Sequence, residues 1–282
     1  MKIGDMMKAG IYLGKEKIEI RELPLPEVGD DDVLIQNIYS SICGTDVAVF
    51  MHGPNTGHKV NVGGEFGHET ISRVVKVGKN VKDFTVGERV YPYPRYAKND
   101  IKRAGTIGIA AAVAFLYFGM NKVMVCDYSD FRLKLAKELG FTVCNPSMEN
   151  YTDKAKDYFG IAPSLSGETA DIDCWLDAAG AKSILDDFIK LGKFESRFVS
   201  VAVNNTLRSV DLLHMTYAQQ SIIGSGGYMP EDVIDVQKMM SCGKWDLEHI
   251  ITHEFPLEQL ETAIRTAGDV NQSGNVVVKM KK

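Results

Sequence analysis

Cys43-Gly44-Thr45-Asp46 and Gly67-His68-Glu69 are the stretches of this chain whose residue types best suit a metal ion. A thiolate, an imidazole and a carboxylate are all zinc ligands. A catalytic zinc takes three protein ligands and leaves a fourth position to water or substrate. Such an ion acts as a Lewis acid on an alcohol, lowering its pKa so that the hydroxyl gives up its proton. Thr45, two residues beyond the thiol, could accept a hydrogen bond from the substrate hydroxyl and pass its proton outward. Taken singly, each residue also has a plainer role. Cys43 reads as a small buried apolar side chain and His68 as a turn histidine.

A second constellation points to a dinucleotide. Gly105-Thr106-Ile107-Gly108 opens an apolar helix, and the strand KVMVCD that follows ends in Asp127. Glycines there let the backbone approach a pyrophosphate seated on the helix N-terminus. Asp127 lies 22 residues after Gly105 (127 against 105), the spacing of an acid that binds ribose hydroxyls. An acid at that place repels a 2′-phosphate, so NAD is expected over NADP. The fingerprint is incomplete, however. Its first glycine would fall on Arg103, and the preceding stretch, YAKNDIK at residues 96–102, is too polar for the central strand of a covered sheet.

The elements that must position these residues fall into two patterns. Residues 17–23, 33–42, 70–77 and 89–93 read as strands punctuated by Gly and Asp turns, which suggests a barrel-like β domain. From about residue 105 strands and helices alternate. A helix at 107–118 is followed by a strand at 122–127, a helix at 131–139, strands at 173–177, 197–203 and 221–224, and helices at 181–191 and 231–241. That alternation predicts a parallel sheet covered by helices. The tail reads strand, helix, strand and could return to the first domain.

Length and composition agree. At 282 residues the chain holds one large domain or two ordinary ones. With 45% hydrophobic and 24% charged residues it is neither disordered nor fibrous. Lys plus Arg is 32 and Asp plus Glu is 37, a net charge of −5, so there is no basic excess for a nucleic-acid backbone. No apolar run approaches a membrane span, and the N-terminus carries charge where a signal peptide needs an apolar stretch. A cytoplasmic protein is expected. The five cysteines are odd in number and widely spaced, which argues against a disulfide framework. Cys126, Cys144 and Cys174, on apolar runs, read as core.

Taken together, the motifs resemble the zinc-dependent medium-chain alcohol and polyol dehydrogenases, closest to the sorbitol and butanediol dehydrogenase branch. The matching features are Cys43-Gly-Thr-Asp46, Gly67-His68-Glu69, VVKVGKNVKDFTVGERV (74–90), Gly105-Thr-Ile-Gly108, Asp127, DAAGA (177–181), GSGGY (224–228) and ITHEFPLEQLETA (251–263), in the family's order. The resemblance implies an α/β protein with a GroES-like β-rich catalytic domain (1–104 and 252–282) and a Rossmann cofactor domain (105–251), the active site between them. It implies zinc on Cys43, His68 and, as in the sorbitol dehydrogenase-like branch, Glu69 (in other branches the third ligand is a later Cys or acid), a proton relay through Thr45, and NAD near Gly105, Thr106, Ile107, Gly108, Asp127 and Arg132. Gly180, Val201, Ser225 and Gly226 would line the cofactor as well. The implied partners are a small-molecule alcohol or polyol and a second copy or more of the chain, as a homo-dimer or homo-tetramer, with no membrane and no nucleic acid.

Three departures stand out. A family member should be longer by about 60 residues, and the shortfall falls between residues 94 and 106. That stretch normally carries the end of the catalytic domain and the first Rossmann strand. The strand sits mid-sheet in the order 3-2-1-4-5-6, so its loss should leave a gap between its neighbours. No cysteine lies between Val90 and Gly105, so a four-cysteine structural zinc lobe is absent, and a relay histidine found in many relatives is Ala48 here. Residues 103–108 read as a join of two similar pentapeptides, made either by deletion or by residues omitted from the numbering. A Cα–Cα step far above ~3.8 Å between Arg95 and Ile109 would mark the second. Two rival readings stay open: a catalytically impaired relative with a broken cofactor cleft, and a zinc-free reductase, against which a thiolate ligand set speaks.

Overall fold

The computed structural model describes residues 4–54, 56, 60–92, 106–202 and 207–280. The junction test between Arg95 and Ile109 therefore falls largely outside the described residues. In chain order the elements begin with strands β1 (Met6–Gly14), β2 (Lys17–Pro24) and β3 (Val33–Ser41), helix α1 (Gly44–His52), and strands β4 (Glu69–Val77) and β5 (Arg89–Val90). Helix α2 (Thr106–Tyr117), strand β6 (Met124–Cys126), helix α3 (Asp130–Glu138), strand β7 (Thr142–Cys144) and helix α4 (Tyr151–Phe159) come next. They lead to strands β8 (Ile161–Ser164), β9 (Gly167–Ala170) and β10 (Cys174–Asp177), helix α5 (Lys182–Leu191), strand β11 (Arg197–Ser200), helix α6 (Leu212–Ala218), strand β12 (Ser221–Gly224) and helix α7 (Pro230–Ser241). The chain closes with β13 (Ile251–Pro256), α8 (Leu260–Gly268) and β14 (Asn275–Lys279).

The chain divides into two compact units. Unit 1 takes residues 1–101, 251–269 and 275–282, and unit 2 takes 102–250 and 270–274. Residues 270–274 were expected to stay with the rest of the tail in the first domain. They cross over because Ser129 Oγ donates to Val270 O at 2.6 Å and Arg132 Nε donates to Ser273 O at 3.3 Å.

Unit 1 is built on a five-stranded sheet in the order β13-β14-β3-β4-β5, with β1 and β2 as a separate antiparallel pair. Phe50 of α1, Leu260, Ala263 and Ile264 of α8, and Val276 and Val278 of β14 form its main buried cluster. Tyr12, fully buried, donates from its hydroxyl to Val49 O at 3.1 Å and so satisfies its one polar atom.

Unit 2 carries the predicted parallel strands, but as two sheets. β6 pairs with β7, while β10, β11 and β12 form a three-stranded parallel sheet. Numbered as a Rossmann fold these are strands 2-3 and 4-5-6, and among the described residues no strand joins them. The gap expected from the sequence is thus where the topology breaks. Helix α2 remains beside it. A Cβ built on Gly108 would stand 3.6 Å from Ala178 Cβ, just past the end of β10. Ile109, Ala112 and Val113 of α2 pack with Leu135 and Ala136 of α3, and with Met239 of α7. One expectation fails. Cys144 is buried and Cys174 half-buried, but Cys126, at the end of a strand with one neighbour among the described residues, is exposed. Among the described residues no helix is long and apolar enough to cross a membrane.

Candidate metal centre

Backbone pairing assembles the candidate metal corner. Ser41 at the end of β3 lies opposite Glu69 at the start of β4. Two residues past Ser41 the chain turns into α1 with Cys43 as its N-cap, while His68 immediately precedes Glu69. Gly67 sits at φ 104°, in the left-handed region, and this turn delivers the His68-Glu69 pair to the strand end. The ligand-capable atoms of Cys43, His68 and Glu69 all lie within 4.8 Å of one another. The thiol is buried and the other two side chains are half-buried, so the sulfur faces the interior and the nitrogen and oxygen face partly outward.

Asp46 is the residue that sequence reasoning quoted but gave no role. It is 1% exposed. One carboxylate oxygen accepts from the Cys43 backbone N–H at 2.9 Å, reaching back from the third helical position as in a capping box. The other lies 3.3 Å from His68 Nδ1, close enough for ion pairing although not aligned as a hydrogen bond. Burial works against charge on His68. The Asp46 carboxylate and the Cys43 sulfur outweigh it and hold the ring's pKa up to about 11. A metal on this ring must displace that proton, so uptake releases protons. An acid three residues after a Cys that starts a helix was the available signal.

Thr45 is fully buried, and its Oγ1 has no hydrogen-bond partner among the described residues. An unpartnered buried hydroxyl costs about 1–3 kcal/mol, and an incoming polar group can relieve that cost. The donor set fits zinc on three counts. It mixes S, N and O ligands, its ring nitrogen is backed by a carboxylate as metal-bound imidazoles usually are, and an orphaned hydroxyl lies two residues from the thiol.

The expected dinucleotide residues gather at strand ends of unit 2. Gly105 lies outside the described residues. Thr106 begins α2, with Ile107 and Gly108 in its first turn. Asp127 immediately follows β6, and one of its oxygens accepts from Ser129 N at 2.8 Å. Arg132, in α3, is held by Ser273 O. Gly180 has φ 74° in the loop after β10. Val201 donates its N–H to Asp177 O at 3.0 Å, and Ser225 donates its own to Ser200 O at 2.9 Å, with Gly226 following. Gly180, Val201 and Ser225-Gly226 thus share the carboxyl edge of the three-stranded sheet, while Asp127 ends the two-stranded one.

Comparison with known proteins matches residues 29–130 to the alcohol dehydrogenase GroES-like domain and residues 105–242 to the zinc-binding dehydrogenase domain. Both descriptions therefore claim residues 105–130. The L-threonine 3-dehydrogenase of Proteus mirabilis is 24% identical over 338 aligned positions, covering 93% of this chain and 96% of the relative. Set against 282 residues here, 338 positions leave at least 56 with no counterpart in this chain. The alcohol dehydrogenase of Thermus sp. ATN1 superposes with a TM-score of 0.80 at 17% identity, over 98% of this chain and 100% of that one. An alcohol dehydrogenase from E. coli CFT073, solved with NADH, gives 0.77 at 21% identity over 98% and 100%.

Proposed function

Since this chain belongs to the zinc-dependent medium-chain dehydrogenase family of oxidoreductases, we propose that it oxidises a secondary alcohol or polyol, or reduces the matching carbonyl compound, with zinc and NAD. The observation that carries the proposal is the convergence of Cys43, His68 and Glu69, with Asp46 behind the ring and the unpartnered Thr45 hydroxyl beside them.

Cys43, His68 and Glu69 would hold the metal, with Nδ1 of His68 turned to Asp46. When bound, zinc supplies Lewis acidity toward a hydroxyl, and the nicotinamide takes up or gives the hydride. Thr45 Oγ1 would accept a hydrogen bond from the substrate hydroxyl and, as it takes that proton, hand its own outward to solvent water, the exchange running backwards in reduction. Asp46 does not touch substrate. It fixes the His68 ring and ties Cys43 N–H to the first turn of α1. At the cofactor, Asp127 would accept from ribose hydroxyls and would repel a 2′-phosphate, which favours NAD.

Simple secondary alcohols, 2,3-diols, sugar alcohols and L-threonine all fall within the proposed class. A homo-oligomer is part of the proposal. Among the described residues β12 has one unpaired edge, its Ile222 and Ile223 are 40% and 45% exposed, and Leu212, Leu213 and Tyr217 of the preceding α6 are exposed as well.

The test combines metal analysis, NADH titration by fluorescence, and NAD reduction with a panel of those alcohols. One zinc per chain, NADH binding and turnover of at least one secondary alcohol are expected. Thr45→Ala should keep the zinc and lose about 10²–10⁴ in kcat. A chain that takes up no zinc after reconstitution overturns the proposal. Zinc without NADH binding would instead support a catalytically impaired relative, the reading that the split sheet of unit 2 favours.

A further inference from the structure

Two of the five free cysteines stand side by side. Cys126 ends β6, Cys144 ends β7, and the two are Cα partners in the parallel pairing of these strands. Residues in register on parallel neighbours send their side chains to the same face. Neighbouring strands lie about 4.7–4.9 Å apart, inside the range of about 4.4–6.8 Å between Cα atoms that a disulfide spans. The two thiols interact directly with each other. Both residues are the last of their strands, where the ladder gives way to loops and the backbone has most room to adjust.

The surroundings divide the work between the sulfurs. Cys126 is exposed and Cys144 fully buried, so a small reagent meets Cys126 first. The Cys144 thiol donates toward Glu149, whose carboxylate is held by Lys154 Nζ at 2.6 Å. The Lys154 ammonium favours a thiolate at either sulfur. Desolvation on the packed side of Cys126, and then the Cys144 thiol, outweigh that cation and push the Cys126 pKa up to about 12. Thiolate is therefore scarce at neutral pH, and exchange at this pair is slow.

We propose that Cys126 and Cys144 are a redox-active pair that forms a reversible disulfide and so staples β6 to β7. These strands are joined at three ladder positions, and neither has a further strand neighbour among the described residues. The oxidant is a small disulfide of the glutathione type. The Cys126 thiolate attacks one of its sulfurs, its S–S bond breaks, and one small thiolate leaves with the proton that Cys126 gave up. Cys144 then loses its proton by way of Glu149 and attacks the Cys126 sulfur. The second small thiolate is expelled and takes up that proton. Two cysteine thiols become one disulfide, and one small disulfide becomes two thiols. The pair needs neither zinc nor NAD.

The experiment treats the full chain with oxidised glutathione and maps its tryptic peptides by mass spectrometry. In the parent chain at pH 8 the peptides 123–132 and 138–154 should become joined, and dithiothreitol should separate them. The rate of joining should rise about tenfold per pH unit from 7 to 9, following the thiolate. Cys144→Ala should instead retain one glutathione on Cys126, and Cys126→Ala should leave Cys144 unmodified. The bond closes a loop of roughly 20 residues around α3, so amide exchange in β6 and β7 should slow at least ~10-fold in the oxidised chain. A parent chain whose glutathione stays on Cys126, or whose two thiols are unreacted up to pH 9, overturns the proposal. So does joining that appears only in denaturant. A bond that forms but leaves amide exchange unchanged overturns the stapling.

Discussion

The candidate metal corner of unit 1 and the proposed dinucleotide edge of unit 2 both stand at sheet ends, yet they depend differently on the stretch this chain lacks. The metal corner needs the end of β3, the first turn of α1 and the start of β4, which are sequence neighbours on a continuous five-stranded sheet. The dinucleotide edge draws on β6 and on β10 to β12, which in a Rossmann order flank the first strand. Among the described residues no strand spans them, and they stand as two sheets. A site made by adjacent strand ends tolerates the loss of a distant segment. A site shared across the middle of a sheet loses the backbone that sets its two halves against each other. The largest effect should therefore come from the intact side. Cys43→Ser should abolish stoichiometric zinc and lower turnover by at least ~10³-fold, because Lewis-acid stabilisation is worth several kcal/mol and each 1.36 kcal/mol is tenfold. NADH affinity should stay within about twofold. If NADH binding falls with the zinc, the two regions are not independent and the contrast fails.

The same contrast predicts how the chain melts. Calorimetry of the zinc-loaded protein without NADH should show two transitions, unit 2 first, since among the described residues its parallel sheets have only two and three strands, each with an unpaired inner edge. NADH at about 100 times its Kd adds about 2.7 kcal/mol to the state that binds it. On a unit of this size that should raise the lower transition by about 5–10 °C and leave the upper one in place. Chelation of zinc should move the upper transition alone. A single transition shifted by both ligands would show that the two units unfold together despite the split sheet.

What the sequence made legible follows the same line. That Cys43, His68 and Glu69 would converge was readable because metal ligands must be particular residue types, and the parallel strands were readable because their runs are largely apolar. The gap beside β6 could be anticipated from one polar heptapeptide, YAKNDIK, standing where a central strand belongs. Helix α1 was not legible. Thr45, Asp46, Ala48, Val49 and Phe50 are all buried, so the helix has no polar stripe to reveal its period. Helix α4 hid for the opposite reason. YTDKAKDYF is mostly polar, and its start is marked only by Asn150, whose side chain accepts from Thr152 N and Asp153 N. The hairpin of β8 and β9 contains Pro163 and has Ile161 exposed, which removes the alternation a strand is recognised by. The role of Asp46 needed coordinates, because a carboxylate at the third helical position caps many helices that have no histidine beside them.

The smallest effect should come from Asp127, and it sharpens the contrast most. Asp127 follows β6 on the smaller sheet, where Ser129 N holds one of its oxygens. If that sheet still presents its edge to the adenosine end of a dinucleotide, Asp127→Ala removes a charge-assisted acceptor worth about 1.5–3 kcal/mol. NADH affinity then falls by about 10–100-fold, AMP falls with it, and nicotinamide mononucleotide is unaffected. NADPH should lose less, because the variant also removes the repulsion of its 2′-phosphate. Zinc content should not change, since Asp127 and the metal ligands belong to different units. Should Asp127→Ala leave NADH and AMP unmoved in a chain that binds both, β6 and β7 have dropped out of the cofactor surface. The three-stranded sheet would then bind what it binds alone, and the split topology would be a functional division as well as a structural one.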